Sequence, residues 1–204
     1  MPTGSAATEE HAIEVFRQHG GMLRTTEAIR QGIHPRTLYA LRKRRAVIEL
    51  SRGLYRLANL PTLGNPDLTT VALKVPSGIV CLISALAYYE LTTLVPHEVY
   101  LALPKGRKPP RLESPPLRIF HYDPHSFREG VAIQEVDGVP LRIYEPEKTL
   151  ADCFKFRNKI GLDAALEALK LYMHRRKKDL TGLQKYARLC RVERVMKPYL
   201  EALL

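Results

Sequence analysis

Apolar positions in the first twenty residues follow the spacing of a short helix. One apolar stripe is formed by Ala12, Ile13, Val15 and Phe16. This stripe predicts a helix that begins near Thr8 and ends at the two glycines of positions 20 and 21. Glu9 and Glu10 favour the positive N-terminal end of its helix dipole.

Two more helices and a hairpin are predicted between residues 25 and 57. Thr25 or Thr26 can cap a very short second helix, which Gly32 stops. Pro35 suits the first position of a third helix over residues 36–45, because no N–H is needed at that position. Residues 47–50 and 54–57 have the composition of two strands, and a glycine-containing turn joins them into a hairpin.

The third predicted helix has two different faces. Leu38 and Leu41 share one face, which can pack on a core. The opposite face, at about 100° per residue, carries Arg36, Tyr39, Ala40 and Lys43. With the hairpin as a wing, the three helices predict a winged helix-turn-helix, whose third helix can enter a DNA major groove while the wing meets the backbone.

A stretch with two prolines and a glycine, residues 58–66, separates this segment from a longer one. We therefore predict one domain over residues 1–60 and a larger domain over residues 61–204. In the larger domain, a helix is expected from Asn65 and Pro66 to about Leu73, and an apolar helix capped by Ser84 follows. Four runs rich in β-branched and aromatic residues predict a small, largely antiparallel sheet: residues 97–103, 117–121, 131–136 and 141–144.

From Pro146 onward the periodic segments are helical. Helices are predicted over residues 146–158, 163–175, 180–189 and 192–203, with Asp163 as the cap of the second. The predicted fold class is α+β: an N-terminal winged helix-turn-helix followed by a larger mixed α/β domain with a helical C-terminal tail.

Composition narrows the class of protein. The chain has 204 residues, 45% of them hydrophobic and 26% charged, which is typical of a globular protein. Its longest apolar stretch, residues 79–87, is well short of the roughly 20 residues that span a bilayer. The first ten residues do not resemble a secretory signal, and the three cysteines are expected to be reduced thiols. We therefore expect a cytoplasmic protein with no membrane contact.

The net charge of +11 is unevenly distributed. Residues 1–60 hold 10 Lys and Arg against 5 Asp and Glu, whereas residues 61–154 hold 9 against 11 and residues 155–204 hold 13 against 5. Within residues 36–56 there are seven basic residues and one acid, Glu49. This density is sufficient to neutralise a nucleic-acid backbone.

The predicted DNA-binding residues follow from this charge and the outward helix face. Arg36, Tyr39 and Lys43 are expected in the groove, and Thr37 can serve there or at the backbone. The residues expected on phosphates are Arg42, Arg44, Arg45 and Arg52. The alternative is a winged helix that docks proteins and whose arginines are only solvated. The second basic region, after residue 175, is interpreted as a solvated helical face, a further phosphate contact or a docking site for an acidic partner.

Common catalytic signatures are absent from the sequence, including the hydrolase, zinc-protease, phosphate-loop and Cys-x-x-Cys motifs. His121, Asp123 and His125 could face one way on a strand and hold a metal, but Asp123-Pro124 is a turn signal. Residues 145–148 have the wrong spacing for a nuclease carboxylate pair, and Asp152 can as readily be a helix-surface acid as a catalytic one. We therefore predict no catalytic residue, no metal and no cofactor.

The sequence resembles the AbiEi-type antitoxins of type IV, abortive-infection toxin-antitoxin systems. The resemblance is carried by SRGLYR at residues 51–56, PSGIVCLISAL at 76–86, EPEKTLADCFKFR at 145–157 and IGLD at 160–163. It covers nearly the whole chain, although the chain is shorter than many members of the family.

The resemblance implies a repressor that binds inverted repeats in the promoter of its own operon through residues 1–60. It also implies that residues 61–204 counter a nucleotidyltransferase-like toxin encoded beside it, with or without direct contact. Two other hypotheses remain open: a winged-helix regulator with an unrelated effector, and a nuclease-like, metal-dependent enzyme that uses His121, Asp123 and Asp152.

Overall fold

The computed structural model describes residues 4–203, so residues 1–3 of the segment compared above with a secretory signal lie outside it. The chain divides into two compact units. The first ends at Pro66 and the second begins at Asp67.

The first unit is built from three helices and three short strands. The helices are α1 (Gly4–Gln18), α2 (Thr25–Arg30) and α3 (Pro35–Lys43). The strands are β1 (Met22–Arg24), β2 (Val47–Ser51) and β3 (Leu54–Leu57). They form an antiparallel sheet in the order β1-β3-β2, in which Met22 pairs with Arg56 and Val47 with Leu57. Strand β1 was not predicted, because three residues are too few to show a period of two.

Helices α2 and α3 are joined by the turn that the glycine signal predicted. Gly32 has a φ of +84°, and the next amide, of Ile33, donates to the carbonyl of Ala28 at 2.9 Å. A residue with a side chain is strained at this φ, which explains the glycine. Leu38 and Leu41 of α3 then pack with Phe16 of α1 in a buried core.

The second unit begins with mixed helices and strands and ends with helices. Its helices before the tail are α4 (Pro66–Lys74), α5 (Leu82–Tyr88) and α6 (Pro124–Arg128). Its strands are β4 (Ile79–Val80), β5 (Val99–Pro104), β6 (Leu117–Tyr122), β7 (Val131–Val136) and β8 (Val139–Tyr144). The tail comprises α7 (Pro146–Lys155), α8 (Arg157–Ile160), α9 (Leu162–Met173), α10 (Leu180–Leu189) and α11 (Glu193–Glu201).

The five strands form one mixed sheet in the order β6-β5-β4-β8-β7. The pairs β4 with β5 and β7 with β8 are antiparallel, while β5 with β6 and β4 with β8 are parallel. The expected largely antiparallel sheet is therefore wrong. Strand β4 has two residues inside an apolar run, so the sequence did not separate it from the helix that follows it.

Strand β5, inside the sheet, is buried on both faces. In β5, Val99, Leu101 and Leu103 pack with α4 on one face. The intervening Tyr100 and Ala102 belong to a larger core that includes residues of α5, α7 and α9. This alternation is the period of two that a strand imposes. The predicted α+β class with a helical tail is confirmed.

Three predicted caps are wrong. Helix α2 has Arg24 at its N-cap position, and Thr25 is its first residue. Helix α5 begins three residues earlier than expected, with Cys81 at the N-cap position, and the Ser84 hydroxyl accepts from the amide of Tyr100 at 2.9 Å. The N-cap position of α9 is Gly161, and Asp163 lies in the first turn. A polar residue at an interior position can satisfy a neighbouring strand instead of its own helix.

All three cysteines are free and buried. Among residues 4–203, no helix has the length and apolar composition needed to cross a membrane.

Candidate nucleic-acid interface

Helix α3 presents one packed face and one exposed face. Pro35 is at its first position, and the Nδ1 atom of His34 accepts a hydrogen bond from the amide of Arg36 at 3.1 Å. Leu38 and Leu41 are buried. On the other side, Tyr39 is 64% exposed, and Arg36 and Lys43 are also exposed, whereas Thr37 is half-buried. The exposed face therefore carries the three side chains that the sequence assigns to the groove.

Two of the predicted phosphate-binding arginines are already paired inside the unit. Arg42 Nη1 lies 2.7 Å from Glu49 Oε2, and Arg44 Nη1 lies 2.9 Å from Glu9 Oε2. Arg36, Lys43 and Arg45 have no ion-pair partner among the residues that the structure describes. The unpaired positive charge of α3 and of the turn that follows it is therefore concentrated on these three residues.

Glu9 and Glu49 are two residues whose roles the sequence did not reveal. Glu9 is 7% exposed and lies beyond the first turn of α1, so its predicted contribution at the helix N-terminus is wrong. In the sequence, Glu49 differs from its neighbours only as the single acid in a basic segment. This isolation was the one signal that could have indicated a role for it. Both carboxylates set the position of an arginine beside the exposed face.

The wing is the hairpin of β2 and β3. Arg52 is exposed in the turn between these strands, next to Gly53, which has a φ of +70°. Opposite the turn, the amide of Thr25 donates to the Gly53 carbonyl at 3.0 Å. The wing tip is thus attached to the start of α2, and its basic side chain points to solvent.

Tyr55 is adjacent to both members of the pair of Arg42 and Glu49. It is 5% exposed, and burial together with the Glu49 carboxylate raises the pKa of its phenol. The phenol therefore stays neutral over the range in which proteins bind DNA.

The second basic region lies on α10, α11 and the loop before them. Three of its cations pair with acids: Lys185 with Glu129, Arg188 with Glu193, and Lys197 with Glu201, at 3.3, 3.0 and 3.6 Å. These pairs are mostly exposed, and such pairs stabilise proteins weakly. They reduce the charge that this surface presents.

The three residues of the nuclease hypothesis are held by separate partners. Asp123 caps α6 by accepting from the Ser126 amide at 3.0 Å, and this bond lowers the pKa of the Asp123 carboxyl. The ring of His121 contacts the carbonyl of Arg107 at 3.0 Å. Across residues 4–203, no group of three or more His, Cys, Asp or Glu side chains could hold a metal ion.

Asp152 is not a helix-surface acid but is completely buried. Its Oδ2 atom lies 2.5 Å from Lys148 Nζ, and its Oδ1 atom accepts from the Cys190 thiol at 3.2 Å. The Lys148 ammonium lies over the Tyr144 and Tyr122 rings, 4.4 and 5.1 Å from their centroids. The sequence prediction failed because an i, i+4 Lys and Asp pair has the same spacing on an exposed helix face and inside a core.

Comparison with known proteins concerns the first unit. Residues 12–58 match the model of a family described as transcriptional regulator, AbiEi antitoxin. Over these residues the chain is similar to AbiEi-type antitoxin regulators. The match covers about a quarter of the chain and includes α3 and the wing. It confirms the family resemblance over this segment, and a comparison with curated proteins found no match.

Proposed function

We propose that this chain is an antitoxin that binds inverted repeats in the promoter of its own operon and represses transcription. In this proposal the DNA-binding domain is residues 1–60, and residues 61–204 counter a nucleotidyltransferase-like toxin encoded beside it. The protein acts in the cytoplasm, without catalysis or a cofactor of its own.

The exposed face of α3 is the observation that carries this proposal. Arg36, Tyr39 and Lys43 project from it, and Arg52 is exposed at the wing tip. Arginine and lysine donate to the guanine edge in the major groove, and tyrosine makes apolar and backbone contacts there. All of these residues lie inside the segment that matches the family of regulators.

DNA binding can be tested by removing the two cations of the exposed face. Arg36→Ala combined with Lys43→Ala is expected to weaken binding to a duplex from upstream of the coding sequence by about tenfold or more, since each base contact contributes about 1–3 kcal/mol. Binding is measured by fluorescence anisotropy over a range of salt concentrations.

The matched control is Arg176→Ala combined with Lys177→Ala, which removes the same charge from an exposed position in the second unit. The control is expected to retain the preference for the promoter duplex over an unrelated duplex. Equal losses of preference in both double variants would contradict the assignment of α3 to the groove.

Toxin neutralisation is tested by co-expression with the neighbouring gene. Growth rescue by the chain, retained by the Arg36→Ala, Lys43→Ala variant, is the expected result if the two activities reside in different domains. Absence of rescue, or a neighbouring gene that does not encode a nucleotidyltransferase, would favour a regulator with an unrelated effector. Metal-dependent cleavage of nucleic acid by the purified chain would overturn the non-enzymatic proposal.

A further inference from the structure

The carboxylate of Glu49 joins helix α3 to the turn of the wing. Its Oε2 atom is 2.7 Å from Arg42 Nη1 on α3, and its Oε1 atom accepts from the Gly53 amide at 2.9 Å in the wing turn. Both oxygens are therefore used. Because the acceptor is ionised, each contact is stronger than a neutral hydrogen bond.

The local irregularity of the hairpin explains why a side chain is needed here. Glu49 pairs with Tyr55 and Ser51 with Leu54, so Leu50 is an extra residue in β2. A bulge of this kind bends the strand and redirects the neighbouring side chains. In this case it directs the Glu49 side chain to the turn.

The turn is fixed on its other side by α2. The Gly53 carbonyl accepts from the amide and the hydroxyl of Thr25 at 3.0 and 3.3 Å. Both backbone groups of Gly53 are therefore bound, the N–H by Glu49 and the carbonyl by the first residue of α2. Arg52, the adjacent residue, is held at a set position relative to α3.

From this geometry we infer that Glu49 is a positioning residue for DNA binding, and this inference rests on the proposed function. It holds the wing turn against the recognition helix, so that Arg52 and the exposed face of α3 meet one duplex in a single register. It also keeps Arg42 in an internal pair, which removes Arg42 from the set of phosphate contacts.

The inference makes opposite predictions for two kinds of DNA. Glu49→Ala is expected to weaken binding to the promoter duplex about five- to tenfold, because the wing is no longer held in register. Binding to an unrelated duplex of the same length is expected to be unchanged or several-fold tighter, since a negative charge beside the DNA is removed. A simple loss of repulsion would tighten binding to both duplexes.

The salt dependence gives a second readout. With Glu49 removed, Arg42 is released to a phosphate, and the slope of log Kobs against log salt should steepen by about 0.9. Adding Arg42→Gln should return the slope to its original value. A defect in folding would not produce a steeper slope that one further substitution reverses.

Two variants control for folding and charge. Glu49→Gln keeps an oxygen that can accept from the Gly53 amide, so it should retain more of the preference for the promoter than Glu49→Ala does. Glu10→Gln removes the same charge from an exposed position of α1 and should leave the preference unchanged.

The outcomes separate the two proposals. If the unaltered chain binds both duplexes equally, the proposed function fails and the inference fails with it. If the unaltered chain prefers the promoter and Glu49→Ala retains that preference, only the inference is overturned. A promoter-specific loss with a steeper salt slope supports both.

Discussion

The ion pairs next to the cores of the two units differ in how far water reaches them. In the first unit, Arg42 and Arg44 pair with two largely buried acids, and both arginines remain more than half exposed. In the second unit, Lys148 and Asp152 are completely buried beside two tyrosine rings and a thiol. Ion pairs in contact with water stabilise a fold weakly, and their members can exchange partners. Removing one member of a buried pair leaves an unpaired charge in the core and strongly lowers the free energy of unfolding. The arginines of the first unit thus stay in contact with water, whereas both members of the pair in the second unit lie inside the core.

The buried pair gives the largest expected effect. Asp152→Ala leaves the Lys148 ammonium buried without its carboxylate, and we expect it to lower the free energy of unfolding by about 3–5 kcal/mol. Urea unfolding followed by circular dichroism measures this change. The double variant Lys148→Met, Asp152→Leu should lie much closer to the unaltered chain, because it leaves no unpaired charge. If the free energy of unfolding of Asp152→Ala lay within about 1 kcal/mol of that of the unaltered chain, the pair would not be isolated from water.

Alkaline pH tests the thiols around the buried pair. Burial, and next the Asp152 carboxylate, raise the pKa of Cys81 and Cys153 well above the usual range, and the same two causes raise that of Cys190. Unfolded thiols ionise near pH 8.5, so above that pH the unfolded chain binds fewer protons than the folded one. Stability should therefore fall, by up to about 1.4 kcal/mol per pH unit for each thiol.

The measurement is the urea midpoint at pH 7.5, 9 and 10. Below about pH 8 these thiols should contribute no slope, because both states are protonated. Replacing Cys153 by Ala should reduce the alkaline slope, and an unchanged slope would assign the effect to other groups.

The cap of α3 gives a smaller effect. His34→Ala removes the acceptor for the Arg36 amide, and we expect a loss of about 1 kcal/mol, as for other N-cap substitutions. Promoter affinity should fall as well, because Arg36 lies in the capped turn. His11→Ala, at an exposed position of α1, is the control and should alter neither property by a comparable amount. Equal effects of the two substitutions would argue against a capping role.

The smallest effect is expected at a fully surface-exposed pair. Glu14 and Arg17 of α1 are 3.1 Å apart, with side chains 53% and 58% exposed. Glu14→Ala should change the free energy of unfolding by less than about 0.5 kcal/mol. If Glu14→Ala lowered the free energy of unfolding as much as Asp152→Ala, exposed and buried pairs would not differ in their contribution to stability.

The sequence predicted the exposed face of α3 well because its signals are local. Pro35, Gly32 and the spacing of Leu38 and Leu41 are properties of one short segment, and the structure has the helix where they placed it. Strands β1 and β4 were missed, since three and two residues are too short for a periodic signal. The parallel pairs of the sheet were missed for a different reason, because strand direction depends on the path of the intervening chain.

By itself, the sequence determined the α+β class, the winged helix with its outward cations, and the family that residues 12–58 match. These features follow from periodicity, turn residues and composition within single segments. The tertiary structure decided which cations are already paired, that Glu49 bridges α3 and the wing turn, and that Asp152 is buried with Lys148. Whether two charged residues pair depends on how the folded backbone directs their side chains, and on how completely the fold excludes water from them. Neither can be deduced from their spacing along the sequence.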